Sequence, residues 1–209
     1  MSKLYFRYGA MNCGKTTALL QVAHNYEERG QKVVLVKPKI DHKGEDCVVS
    51  RLGVSRSVDL LLDDVTHPIY YIEEWMDDID CILIDEAQFL KSFQVDEFYV
   101  IARLFHIPVI CYGLRTSSEV ELFEGSARLF AIADKLEELV TICRCGKRAT
   151  FNVRFDQEGN IIFNSGETVA IDGIDATYES YCGTCHIEKV RGYDKEKILT
   201  FVREKKHHS

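Results

Sequence analysis

At 209 residues, with 46% hydrophobic and 28% charged side chains, the chain has the composition of a soluble globular protein. It is long enough for one domain, or one with a small satellite, and for a core that needs no staples. A net charge of −7 argues against an obligate nucleic-acid binder, which carries a basic excess. No apolar run approaches the roughly 20 residues of a membrane span. Met1-Ser2-Lys3 leads straight into an apolar segment with no signal or transit pattern. The expectation is a cytoplasmic protein with no membrane or nucleic-acid partner.

In chain order, residues 4–8 (LYFRY) read as a short aromatic-rich strand. Gly9-Ala10-Met11-Asn12-Cys13-Gly14-Lys15-Thr16-Thr17 follows and fits G-x-x-x-x-G-K-[ST] at every fixed position. Ala18, Leu19, Val22, Ala23 and Tyr26 then repeat at helical spacing until Gly30. Strand, glycine loop and helix together aim backbone N–H groups and a helix N-terminus at a phosphate chain. The two glycines allow close backbone approach, Lys15 offers a cation to the β- and γ-phosphates of ATP, and the Thr16 hydroxyl can ligate Mg²⁺.

Residues 32–37 (KVVLVK) form a second strand stopped by Pro38, so the first unit is βαβ and the sheet parallel. Residues 38–45 are a polar loop containing Asp41, and residues 48–51 and 58–62 read as short strands or turns. Residues 69–76 have helical spacing. The apolar run of residues 79–84 ends in Asp85-Glu86. In a phosphate-loop protein an Asp at that strand end holds Mg²⁺ directly or through water. Val95, Phe98, Ile101, Ala102 and Phe105 predict a helix, residues 108–112 a strand ending at Gly113, residues 125–133 a helix and residues 139–142 another strand. The alternation predicts a doubly wound parallel α/β sheet over residues 1–140.

From residue 141 the character changes to short alternating runs around a hairpin-turn signal at residues 156–160. Cys143-x-Cys145 and Cys182-x-x-Cys185 supply two thiolate pairs suited to a closed, tetrahedral, structural Zn²⁺, with His186 as a substitute ligand. A zinc-binding β module over residues 141–209 is predicted. The remaining cysteines are scattered, and Cys81 and Cys111 lie in apolar runs that read as buried strands of a reduced protein. The segment 189–206 is locally basic but diluted by Glu188, Asp194, Glu196 and Glu204, the pattern of a solvated helix face.

These motifs together resemble the cytosolic, zinc-carrying thymidine kinase family, and its bacterial and phage members most. The resemblance rests on the Gly9 to Thr16 loop, Asp85-Glu86-Ala87-Gln88-Phe89, Tyr112-Gly113-Leu114-Arg115-Thr116, Leu122-Phe123-Glu124-Gly125, the cysteine pairs and Tyr178. It implies a RecA-like phosphate-loop fold, and transfer of the γ-phosphate of ATP to the 5′-hydroxyl of thymidine. Glu86 matches the family's catalytic base, Asp85 and Thr16 its Mg²⁺ ligands, and Gln88 joins the loop residues and Asp85 in the ATP site. Phe89, Leu114 and Phe123 match the thymidine pocket. Ile171, Gly173 and Tyr178 fall in or beside a lid between the cysteine pairs, and Asp41 and Arg51 fall where relatives place polar groups near substrate. A homotetramer is implied as well. Two departures stand out: Ser118 occupies the place of an aromatic that stacks on the base, and Ala170-Ile171-Asp172-Gly173-Ile174 replaces a run with paired glycines. The alternatives are a deoxynucleoside kinase of altered base preference, a nucleic-acid-dependent ATPase with a zinc ribbon, and a zinc-ribbon binding protein that uses nucleotide only as a switch.

Overall fold

The structure is a computed structural model that describes residues 2–39, 47–50, 53–71, 73, 78–162 and 176–206. The expected site residues Asp41, Arg51, Ile171 and Gly173 lie outside the described residues. The chain divides into two compact units, one of Met1–Ser117 with Glu121–Leu139, the other of Ser118–Val120 with Val140–Ser209.

The first unit is a parallel sheet. Its strands are β1 (Leu4–Gly9), β2 (Val33–Pro38), β5 (Leu60–Leu62), β6 (Cys81–Ile84), β7 (Val109–Leu114) and β8 (Lys135–Glu138), in the order β5-β2-β6-β7-β1-β8 among the described residues. The apolar strands are buried on both faces, as a helix-covered parallel sheet requires. Val34, Val36, Ile82, Ile84, Val109 and Cys111 face one core with Val95, Phe98 and Ile101 of α2 (Ser92–Leu104) and Leu129 of α3 (Glu124–Ile132). Their alternates Val33, Leu35, Cys81, Leu83, Ile110 and Tyr112 face the other core with Leu19, Leu20 and Ala23 of α1 (Lys15–Glu27). Burial pushes the Cys81 thiol up to about 12 and raises that of Cys111 as well, so both act as inert apolar filler.

Three expectations change. The last strand of the sheet is β8, upstream of the predicted residues 139–142, of which only Thr141–Ile142 (β9) is strand. The β8 sequence is Lys-Leu-Glu-Glu, the charged pattern of an edge strand, and its Leu136 is exposed. Side-chain bonds hold it: Arg7 on β1 donates to Glu137 (2.6 Å) and to the Tyr112 hydroxyl (2.7 Å), linking β8, β1 and β7. The predicted short strands at residues 48–51 and 58–62 resolve into an antiparallel ribbon, β3 (Cys47–Val49) with β4 (Ser55–Ser57), followed by the parallel strand β5. The helical spacing at residues 69–76 corresponds to a 3₁₀ turn at Pro68–Tyr71; most of the remainder lies outside the described residues.

The second unit pairs β9 with β10 (Arg148–Ala149) and β11 (Phe151–Phe155) with β12 (Thr177–Tyr181), and ends in α4 (Lys195–Lys206). Its buried apolar cluster is small: Ala149, Val153 and Tyr181 beside the thiols of Cys143, Cys182 and Cys185. So small a core needs a staple.

Candidate functional site

Parallel strands deliver their C-terminal ends to one edge of the sheet, and the loops that leave there build the site. Gly9 at the end of β1 sits in register with Leu114 at the end of β7, and Ile84 at the end of β6 with Cys111 of β7. The Gly9–Thr17 loop, Asp85-Glu86 and Leu114 therefore leave three neighbouring strands at the same edge.

The loop is built for close packing. A Cβ on Gly9 would lie 2.5 Å from the Leu139 carbonyl and 2.6 Å from Cys13 Sγ. Asn12 and Gly14 both take left-handed backbone, φ 64° and 80°, which Asn tolerates and Gly adopts without strain. Gly14 precedes α1 and supplies no side-chain cap, and the first turn carries no acid. Those N–H groups thus keep their affinity for an anion. Lys15 folds back over the loop and donates to the Ala10 carbonyl (3.0 Å), with Cys13 Sγ at 3.8 Å. Met11, Thr16 and Thr17 are half-buried around it.

Asp85 is 5% exposed. Desolvation, reinforced by the neighbouring Glu86 carboxylate, pushes its pKa up from 3.8 to about 7, against the opposing pull of the Glu86 N–H, Lys37 and Lys15. A buried carboxylate short of positive charge suits a hard divalent cation.

Glu86 is half-buried and left-handed at φ 51°, an unusual backbone for a residue with a Cβ. That conformation turns the chain into a 3₁₀ turn at Ala87–Phe89. Gln88, expected beside ATP, is 1% exposed: its Nε2 donates to Glu86 Oε2 (2.5 Å) and its Oε1 accepts the Leu114 N–H (3.0 Å). Both ends of the amide are engaged within the protein. Phe89 and Phe123 meet edge to face, ring centroids 5.4 Å apart, with Leu114 half-buried on the same loop system. Phe123 precedes α3, whose Gly125 allows helix and turn to touch. A Cβ there would lie 2.5 Å from the Ala87 carbonyl and 2.8 Å from that of Leu90. Because the obstructing atoms are all backbone, Gly125→Ala is expected to destabilise the protein by about 1–3 kcal/mol, measured by denaturant unfolding.

In the second unit Cys143, Cys145, Cys182 and Cys185 place their sulfurs within 4.8 Å of one another. Cys145 and Cys182 are 3.5 Å apart. Four thiolates around one tetrahedral ion with metal–sulfur bonds of about 2.3 Å stand about 3.8 Å apart, whereas a disulfide needs about 2.05 Å. All four are free thiols, and the cluster could hold a metal ion. Backbone N–H groups, that of Cys145 foremost, lower the Cys143 thiol to about 6, which favours the ligating thiolate. His186 stacks on Phe151 (4.6 Å, 21°), apart from the four-sulfur group. Cys182→Ser is expected to abolish metal binding by the four-sulfur cluster and to weaken the far-UV signal, with metal content and circular dichroism of the two proteins as readouts. Tyr178 lies half-buried on β12. Ser118 lines a cavity of about 70 Å³ whose wall includes Glu119, Arg154, Ile162, His186 and Arg191.

Among the described residues no helix is long and apolar enough to cross a membrane. The sequence profile of the thymidine kinase family matches residues 2–186. A thymidine kinase of Idiomarina loihiensis is 48% identical over 184 residues, covering 87% of this chain and 94% of the relative. That of Enterobacteria phage T4 is 43% identical over 186 residues, again covering 87% and 94%. The Yersinia pestis thymidine kinase is 45% identical over 187 residues, covering 88% and 93%. Similarity of this depth over nearly the whole length means that the chain belongs to the thymidine kinase family.

Proposed function

We propose that the chain is an ATP-dependent thymidine kinase, which transfers the γ-phosphate of ATP to the thymidine 5′-hydroxyl for deoxynucleotide salvage. The observation that carries the reading is that an uncapped glycine loop leaves the end of β1, and a buried Asp and a half-buried Glu leave the end of β6, the two parallel strands that flank β7. In this reading the first unit is a RecA-like phosphate-loop domain, residues 1–140, and residues 141–209 form a zinc-binding lid module.

Phosphoryl transfer is chiefly positioning and charge neutralisation. The N–H groups of residues 9–17 and the start of α1 hold the phosphate chain. Lys15 exchanges a neutral carbonyl, that of Ala10, for phosphate oxygens, a stronger charge-assisted bond. Asp85 and Thr16 would hold the Mg²⁺ that comes with ATP, which supplies positive charge to the β- and γ-phosphates. Glu86 accepts the proton of the 5′-hydroxyl as that oxygen attacks the γ-phosphorus. Phe89, Leu114 and Phe123 form the apolar wall for the base. The resemblance assigns Ile171, Gly173 and Tyr178 to the lid side of thymidine and Asp41 and Arg51 to its polar surroundings. The four cysteines are read as a Zn²⁺ site, and the assembly as a cytoplasmic homotetramer on the same resemblance.

The test is a panel of thymidine, deoxyuridine, deoxycytidine, deoxyadenosine and deoxyguanosine with ATP, the monophosphate products separated and counted. Thymidine is expected to give the highest kcat/KM. A preference for another base would favour a deoxynucleoside kinase of altered base preference. ATP hydrolysis stimulated by DNA and indifferent to nucleosides would overturn the kinase reading.

A further inference from the structure

We propose that Gln88 is a positioning residue that holds the Glu86 carboxylate in register with the nucleoside wall at Leu114. The proposal rests on the reading of Glu86 as the base. The geometry fixes the direction of the amide. Its Oε1 accepts from the Leu114 N–H at 3.0 Å, so the NH₂ group must face Glu86, where Nε2 donates to Oε2 at 2.5 Å. A flipped amide would set N–H against N–H at one end and oxygen against carboxylate at the other. Glutamine is the side chain that can both donate to a carboxylate and accept from a backbone amide across this gap.

The surroundings are cut to fit it. Gly113 is in contact with the amide: a Cβ there would come within 2.8 Å of Gln88 Oε1 and 3.1 Å of its backbone N. Ser126, 0% exposed on α3, donates its hydroxyl to the Leu114 carbonyl at 2.6 Å and so holds the residue whose N–H holds Gln88. The bonds run from α3 through Leu114 and Gln88 to Glu86, and the two side chains in the middle of the chain, Gln88 and Ser126, are buried from water. One carboxylate oxygen, Oε2, is committed to Gln88, and the substrate proton falls to Oε1. A nucleoside resting against Leu114 thus meets a base whose orientation is set by that same residue.

Gln88→Met keeps the length and removes both polar ends. A hydrogen bond to a charged group carries enough energy that kcat is expected to fall about 10- to 100-fold, with KM for ATP and thymidine within about twofold. Ser126→Ala, one link further out, is expected to lower kcat by a smaller factor in the same pattern. The deciding experiment is a double-mutant cycle. In a Glu86→Gln background, Gln88→Met should change the residual rate by less than about twofold, because there is no base left to orient. The same fold loss in both backgrounds, or a rise in either KM that matches the fall in kcat, would overturn the proposal. Near wild-type rate in Glu86→Gln alone would instead overturn the assignment of the base, a result separable from the cycle. Thermal unfolding and ATP binding of each variant report whether the protein is folded. Should Gln88→Met not fold, the cycle is run with Ser126→Ala, and additive losses there sink the proposal equally.

Discussion

Glu86→Gln is expected to lower kcat for thymidine phosphorylation by about 10²–10⁴-fold, the usual contribution of a positioned general base, while thymidine affinity stays within a few-fold. The substitution preserves side-chain shape and an oxygen acceptor for Gln88 Nε2. What it removes is the capacity to take a proton, so the loss falls on the chemical step and not on binding. The left-handed backbone at φ 51° is set by the turn into Ala87–Phe89 and does not depend on the carboxylate. Steady-state kinetics paired with calorimetric titration of thymidine separates the two effects. A parallel loss of affinity would assign Glu86 to binding.

Asp85→Asn is expected to make the Mg²⁺-free protein more stable and the enzyme inactive. The folded-state pKa of Asp85 is raised from 3.8 to about 7, so between those values the unfolded chain ionises this group while the folded protein retains the proton. Stability is therefore fully present below about pH 4, declines as pH rises towards 7, and levels off above it. Asparagine cannot ionise, and the variant escapes that decline. At pH 8 it is expected to exceed the parent by about 2–4 kcal/mol, with no advantage near pH 4, as denaturant unfolding in chelator at the two pH values would register. Addition of Mg²⁺ and ATP should stabilise the parent more than the variant, which keeps the phosphate loop and loses a metal ligand. Equal stability at both pH values would mean that Asp85 carries no such strain. A buried acid retained at a stability cost is what a site that must attract a cation requires.

Much of this was legible because the signals are local. The loop Gly9 to Thr16 declares itself by residue types at fixed spacing, and residues 79–86 by an apolar run that stops at two acids. The cysteine pairs are legible for the same reason. Edge strand β8 was not, because its Lys-Leu-Glu-Glu sequence has no apolar alternation; it joins the sheet through β1 pairing and the Arg7–Glu137 bond, neither visible in a window of four residues. The hydrogen bonds of Gln88 were not legible, because one partner is the backbone N–H of Leu114, 26 residues away, and a backbone donor leaves no mark in the sequence. Gly113 and Gly125 carry the only trace of that packing, as glycines where a Cβ would strike the turn at Ala87–Phe89 or its flanks.

Whether this site moves a phosphoryl group from ATP to thymidine is measured most directly by following the label. With [γ-³²P]ATP, Mg²⁺ and thymidine, radioactivity is expected in thymidine 5′-monophosphate at the rate of ADP formation, with little free phosphate and no transfer when thymidine is omitted. Label released as inorganic phosphate at the same rate with and without thymidine would contradict it.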